Sequence, residues 1–385
     1  MARRPLIAIV GAANAPSQDS ADLTPVGLMA QAAACALEET SLTKADIDGL
    51  FTASSYYYLP TMTIGEYLQI RPTYSDSTTV GGCSFIAHLR HAARAIAAGD
   101  MSVGLIAHAS TQRTDGSRFV KSMSESLSYE VPYGPLWPIT GYAMMAHRHM
   151  HQFGTTPEQL AEVAVAAREW ALLNPEARQS KPLTIEDVLS SPMVSSPLHR
   201  YDCCLVTNGG GALIVASPER APDLCEKPVY VWGAAESHDS RYVSGLPDFV
   251  TSPARVTGPA ALDEAGVTLD DIDVLQIYDS FTIANIITLE DLGFCDKGEG
   301  GPFVEGGTIR PGGKLAVNTS GGGLSYRHPG MLGMVLLLEA MAQLRGEAAG
   351  RQVAGAASAL VHGLGAIHMS GATAVLGGPG WRPGA

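Results

Sequence analysis

Apolar and polar positions along the chain fall into two similar series. "PLIAIVGAANAPS" from Pro5 is a short β-rich run that ends in Gly-Ala-Ala, and "PVYVWGAAESHDS" from Pro228 repeats it. "ALEETSLTKADIDGLFTASS" from Ala36 and "ALDEAGVTLDDIDVLQIYDS" from Ala261 each read as a helix end, a turn, Thr-x-x-Asp-Ile-Asp and a strand. Gly11 and Gly233 lie 222 positions apart, and Asp48 and Asp273 lie 225 apart. "AARAIAAGD" (from Ala92) and "EAMAQLRGEA" (from Glu339) end a helix in each series, and a Gly-Ala strand closes each: "GGGALIVAS" from Gly209 and "SGATAVLGG" from Ser370. The same elements in the same order at a near-constant offset predict a tandem duplication of a β–α–β–α–β unit. That pattern favours an α/β fold with parallel or mixed sheets covered by helices. The offset is far too long for a solenoid repeat of roughly 20–50 residues. The expected halves are residues 1–225 and 226–385.

Between about Ser110 and Tyr201 the first half carries sequence without a counterpart in the second. Within it "TTPEQL" reads as an N-cap, a proline and an early glutamate that open an amphipathic helix. An insertion of this size is expected to form a lid or binding loop. The N-terminal "MARRPLIAIVGAANAPS" mimics a signal peptide, with two arginines, an apolar run and Ala-x-Ala. Its internal copy at Pro228 argues for a strand instead. No stretch reaches the roughly 20 apolar residues of a membrane span; the longest, "MLGMVLLLEAMAQL" from Met331, is interrupted by Glu339 and reads as a buried helix.

A formal charge of −13 removes any electrostatic footprint for nucleic acid. The six cysteines are too sparse for a disulfide framework and form no CxxC pair for zinc, which fits a reducing cytosol.

Four places could carry chemistry. Cys83 follows two glycines and opens a long helix, where free backbone N–H groups and the positive end of the dipole favour a thiolate. Its other reading is a small apolar filler, since cysteine is among the most buried residue types. "NTSGGGLSYRHPGMLGM" (from Asn318) stands in the second half where "GGC" stands in the first, and pseudo-twofold packing would bring the two helix starts together. His328 there could serve as a base or oxyanion donor, or merely cap the helix. "QIYDSFT" ends a strand, the usual place for ligands in α/β folds, with Asp279 either in the site or an N-cap. "LVHGLGAIHMSG" places His362 between a strand and a glycine turn. His147 and His151, four apart, lack a third ligand for a metal. "GGGALIV" lacks the Gly-Lys-Ser/Thr ending of a phosphate loop.

Together, the duplicated halves, Cys83, "YDSF", "HPGMLG" and "HGLG" resemble the thiolase superfamily, most closely the sterol-carrier-protein-type thiolases and thiolase-like lipid-transfer proteins. The resemblance spans essentially the whole chain. It implies a βαβαβαββ unit used twice in a five-layered α-β-α-β-α arrangement, a homodimer (cytoplasmic, from the cysteine usage), and an acyl-CoA thioester as substrate with no permanently bound cofactor. It also implies Cys83 as acyl acceptor and His328 as its activator, in a motif where Arg327 replaces the expected glycine. The usual second cysteine is missing near the C-terminus, and His362 is the substitute. Arg113, Arg118 and Lys121 fall in the region that covers CoA, and Asp279, Ser325 and Gly330 fall beside the substrate. The first expectation is thiolase-type acyl transfer through Cys83. Some relatives are instead aldolases of steroid side-chain CoA esters. These use a tyrosine pair, at the positions of Tyr278 and Tyr326 here, and work with an OB-fold/zinc-ribbon partner. A non-catalytic CoA- or lipid-binding subunit is the third expectation.

Overall fold

The chain folds as two series of elements with matching strand order. The computed structural model describes residues 3–15, 22–115 and 129–384. The first unit runs β1 (Ile7–Asn14), α1 (Pro25–Glu38), β2 (Gly49–Phe51), α2 (Pro60–Leu68), β3 (Tyr74–Asp76), α3 (Ser84–Ala98) and β4 (Val103–Ser110). An inserted segment follows: α4 (Gln112–Asp115), α5 (Ile139–Phe153), α6 (Pro157–Leu172), α7 (Ile185–Ser190) and the hairpin β5 (Met193–Ser195) and β6 (Leu198–His199). Strand β7 (Gly209–Ala216) completes the unit, and α8 (Ala221–Leu224) leads out of it. The second unit runs β8 (Val229–His238), α9 (Ala254–Ala265), β9 (Val274–Ile277), α10 (Thr282–Leu292), α11 (Gly300–Val304), β10 (Ala316–Val317), α12 (Gly333–Arg345), β11 (Ser358–Gly365) and β12 (Ser370–Gly377).

The strand orders β1-β7-β4-β2-β3 and β8-β12-β11-β9-β10 superimpose element for element. The two five-stranded halves join through three antiparallel residue pairs between β1 and β8 (Ile7 with Val231, Ala8 with Tyr230, Ile9 with Val229). Helix α1 covers the first half and α9 the second, while α3 and α12 lie between them and touch strands of both. This is the five-layered arrangement. It explains why α12 is buried along nearly its whole length, with Glu339 held there by Arg351 at 2.8 Å.

The repeated residues do the same work in each half. A Cβ on Gly11 would stand 2.1 Å from the Ala36 carbonyl oxygen, and one on Gly233 would stand 2.1 Å from that of Ala261. Only glycine lets α1 and α9 approach their strands so closely. In each Thr-x-x-Asp-Ile-Asp turn the first aspartate accepts from the threonine N–H, Asp46 from Thr43 and Asp271 from Thr268, both at 2.8 Å. The second catches the start of the neighbouring strand. Asp48 accepts from Ser102 N and Val103 N, and Asp273 from Ala357 N and Ser358 N, all within 2.9 Å. In the insert, Thr156 caps α6 with Pro157 and Glu158 in its first turn, as the sequence predicts, and Gln159 additionally closes a capping box. Among the described residues no helix is long and apolar enough to cross a membrane.

Candidate active site

The starts of α3 and α12 do meet: a Cβ on Gly333 would lie 2.1 Å from the Gly82 carbonyl oxygen. A pocket of about 410 Å³ opens beside this contact, within the range that holds a small ligand. Its walls come from three sources. Gly81 and Gly82 belong to the first unit, Tyr278, His328 and Gly330 to the second, and Tyr142, Cys203 and Cys204 to the insert.

Tyr278 leaves the end of β9, its N–H bonded to the His362 carbonyl. Its hydroxyl lies 3.0 Å from His328 Nε2 and 3.3 Å from the Gly330 carbonyl oxygen. The backbone of His328 is clamped by Thr207, whose hydroxyl accepts from the His328 N–H and whose own N–H donates to the His328 carbonyl. Burial holds the imidazole down to about 4, so it is neutral at physiological pH, and burial raises the Tyr278 phenol well above its ordinary value. A neutral imidazole nitrogen faces a phenol O–H across a hydrogen bond, so the pair can pass a proton in either direction.

Cys83 sits directly behind this pair and does not line the pocket. Tyr278 packs on Gly82, where a Cβ would stand 2.1 Å from the ring. The sulfur has no exposure and hydrogen-bonds to the Val80 carbonyl (3.1 Å) and the Ser370 hydroxyl (3.2 Å). Burial pushes the thiol up to about 12, so desolvation outweighs the helix-start effect that would favour a thiolate.

The other expected site residues are dispersed. Tyr326 is buried outside the pocket and donates to Glu176 (3.0 Å), so the two tyrosines do not share the pocket wall. Arg327, where a glycine was expected, stacks on the Tyr326 ring at 4.2 Å and pairs with the same Glu176 at 3.1 Å. His362 is fully buried outside the pocket, with Nδ1 2.7 Å from the Thr373 hydroxyl. Asp279 neither lines the pocket nor caps α10, whose N-cap is Phe281. Its carboxylate accepts from Gly323 N (2.7 Å) and Leu324 N (3.2 Å), which fixes the glycine turn ahead of His328, and burial raises it to about 7. Ser325 accepts from Arg168 Nε at 3.0 Å. Arg113 is exposed beside Gln112, which lines the pocket. Arg118 and Lys121 lie outside the described residues. His147 and His151 point outward from α5, whereas His149 between them is buried against Glu290 at 3.0 Å. Among the described residues no group of three His, Cys, Asp or Glu could hold a metal.

The sequence pattern missed Tyr142, Cys203, Cys204 and His108, all in the pocket wall. The adjacent Cys203-Cys204 was the only visible signal. Its placement depends on backbone bonds made by the insert, Cys204 N to Ser280 O and Leu205 N to Gly323 O, both 2.9 Å.

Residues 235–378 match the family model described as "Thiolase C-terminal domain-like". The chain is 32% identical over 374 residues to "Acetyl-CoA acetyltransferase" of Methanothermobacter thermautotrophicus, covering 93% of this chain and 96% of that protein. It belongs to the thiolase superfamily. It is also 33% identical over 371 residues to "17-hydroxy-3-oxo-4-pregnene-20-carboxyl-CoA lyase" of Mycobacterium tuberculosis, covering 88% of this chain and 91% of that protein. The solved structure titled "Ltp2-ChsH2(DUF35) aldolase" matches with a TM-score of 0.88 at 30% identity, covering 97% of this chain and 98% of that one. This thiolase-superfamily chain is therefore an enzyme of the thiolase or the retro-aldolase type.

Proposed function

We infer that this enzyme cleaves a carbon–carbon bond in a β-hydroxyacyl-CoA by a retro-aldol reaction, with Tyr278 and His328 as its acid–base pair. The observation that carries this reading is the 3.0 Å contact between them in the pocket wall, while Cys83 lies buried and protonated behind. The pair takes the proton from the substrate hydroxyl. The Cα–Cβ bond breaks, its electrons pass to the thioester as an enolate, and a carbonyl product forms at the former β carbon. The pair then returns the proton to Cα, so the step consumes no nucleophile, oxidant or reductant. The lyase and aldolase relatives, similar over most of their length, support this reading.

Acyl transfer through Cys83 is the second reading. It is favoured by the position of Cys83 one residue after the pocket-lining Gly82 and by the acetyltransferase relative. It needs the Tyr278 ring to swing away from Gly82 so that a thioester can reach the sulfur. In both readings CoA is substrate or product rather than a resident cofactor, and Arg113, Arg118 and Lys121 are the candidate phosphate contacts. The reading extends to a cytosolic homodimer with halves at 1–225 and 226–385, and to an OB-fold/zinc-ribbon partner, in line with the DUF35 component named for the aldolase structure.

The test is product analysis after incubation with a tertiary β-hydroxyacyl-CoA and, separately, a 3-oxoacyl-CoA plus CoA, each with and without a DUF35-type partner. A ketone plus a shortened acyl-CoA from the first substrate is the expected outcome. Two acyl-CoAs from the second, with the first left intact, would favour Cys83.

A further inference from the structure

Cys83 has polar neighbours that the pocket does not share. Its sulfur is 3.2 Å from Ser370 Oγ, which is 2.7 Å from His238 Nδ1. His238 Nε2 lies 3.5 Å from Glu236 Oε2, Glu236 Oε1 lies 2.8 Å from His91 Nε2, and His91 Nδ1 lies 2.6 Å from Asp76 Oδ2. Ser370, His238, Glu236, His91 and Asp76 all lie outside the pocket wall. Ser370 is almost fully buried, but the His238 side chain is 42% exposed, so the chain of contacts leads from a buried sulfur to solvent.

The fold builds this chain from both halves. His238 ends β8 and pairs across the sheet with Ser370 at the start of β12. Glu236 lies two residues earlier on the strand, on the same face as His238. Helix α3, which Cys83 opens, brings His91 against Glu236 and against Asp76 of β3.

We propose that Ser370 and His238, backed by Glu236, form a proton relay that carries the Cys83 thiol proton to solvent and returns it, so that His238 rather than His328 governs proton exchange at this sulfur. In the forward step the thiol proton passes to Ser370 Oγ as the serine proton passes to His238 Nδ1. The products are a thiolate, an intact serine hydroxyl and an imidazolium that exchanges with solvent at the surface. No other bond forms or breaks.

The surrounding charges suit this. Hydrogen bonds to Asp76 and then Glu236 raise His91 to about 9, so it is charged at neutral pH. The His91 bond lowers Glu236, and the His91 and Thr78 bonds lower Asp76 despite its burial. The trio therefore carries one net negative charge beside His238. His88 on the same helix is held down to about 4 by burial and stays neutral, and Tyr278, on the other side of Gly82, stays protonated. The thiol, raised to about 12, keeps the relay loaded at rest. Ser370 and His238 act through Cys83 and are positioning residues. The inference goes beyond the proposed reaction and is independent of which bond the pocket cleaves.

The test measures ionisation of one sulfur and not turnover, so its failure is separable from failure of the retro-aldol reading. Thiolate ultraviolet absorbance is titrated with pH as the difference between each protein and its Cys83→Ser counterpart, alongside Cys83 methanethiosulfonate labelling read by peptide mass. His238→Gln keeps a hydrogen-bonding side chain but cannot take up a proton. In it proton loss from the sulfur should slow, so labelling at saturating reagent and fixed pH should fall about tenfold while the equilibrium titration stays near wild type, with His328→Gln labelling at the wild-type rate. Ser370→Ala should reproduce the slowing, and if it fails to fold, the surface variant His238→Gln carries the test. A His238→Gln labelling rate equal to wild type would overturn the relay, as would a slowing found in His328→Gln instead, or a wild-type sulfur that does not react at any pH the fold survives.

Discussion

Replacing His91 with leucine removes the imidazolium that bridges Asp76 and Glu236, and the size of the effect can be worked from its contacts. Both ring nitrogens donate, at 2.6 and 2.8 Å, and the ring is only 15% exposed. Its folded value is raised from 6.5 to about 9. At about 1.4 kcal/mol per pH unit this corresponds to about 3 kcal/mol of stability, shared with Asp76 and counted once. A group raised on folding contributes fully below its unfolded value, and the contribution is lost as pH climbs through the folded one. The His91→Leu deficit should therefore be full at about pH 6 and largely gone by about pH 10. With an unfolding entropy of about 2.1 cal/mol/K per residue over 385 residues, 3 kcal/mol moves Tm by about 4 °C. Differential scanning calorimetry of both proteins at the two pH values reads this directly. A Tm gap of equal size at both would refute the assignment of a charged His91.

Three further outcomes follow from separate contacts. Asp48→Ala and Asp273→Ala each strip a carboxylate acceptor from two backbone N–H groups, so each should cost about 2–3 kcal/mol in denaturant unfolding, and similar costs would confirm matching roles in the two halves. Gly82→Ala drives a methyl group to 2.1 Å from the Tyr278 ring and 2.8 Å from the Leu364 carbonyl; it should destabilise the fold by about 1–3 kcal/mol and depress kcat more than the Tm change explains. His328 is held down to about 4, so kcat should stay level around neutrality and fall only as pH drops towards that value, when the ring can no longer accept a proton. An inflection between about pH 6 and 7 would instead point to an unperturbed histidine.

Much of the fold was legible because duplication writes each constraint twice. Gly11 and Gly233 recur because both strands touch a helix carbonyl, and Asp48 and Asp273 recur because both tie down the start of a strand. The buried helix α12 was readable from the long apolar run that starts at Met331 and is interrupted by Glu339. The site was less legible. The sequence shows Cys83 at a helix start, which favours a thiolate, but not that Tyr278 from the other half packs on Gly82, nor that Ser370 meets the sulfur. Burial, which decides the state of the thiol, is a property of contacts far apart in sequence. The resemblance pairs Tyr278 at a strand end with Tyr326 in the glycine loop, yet of the two only Tyr278 faces the pocket, because Tyr326 is drawn to Glu176 of the insert. The Glu236-x-His238 pair was in plain view inside "GAAESHDS". Its two-residue spacing on a strand was the available signal that both side chains share a face.

The central claim is that a phenol and an imidazole do the chemistry while the neighbouring sulfur stays out of the covalent path. The most direct measurement compares turnover of a β-hydroxyacyl-CoA by wild type, Tyr278→Phe and Cys83→Ala. Tyr278→Phe should lose about 10²- to 10⁴-fold in kcat, with Cys83→Ala within a few-fold of wild type. Activity that vanishes in Cys83→Ala but persists in Tyr278→Phe, with an acyl adduct on the wild-type sulfur, would contradict it.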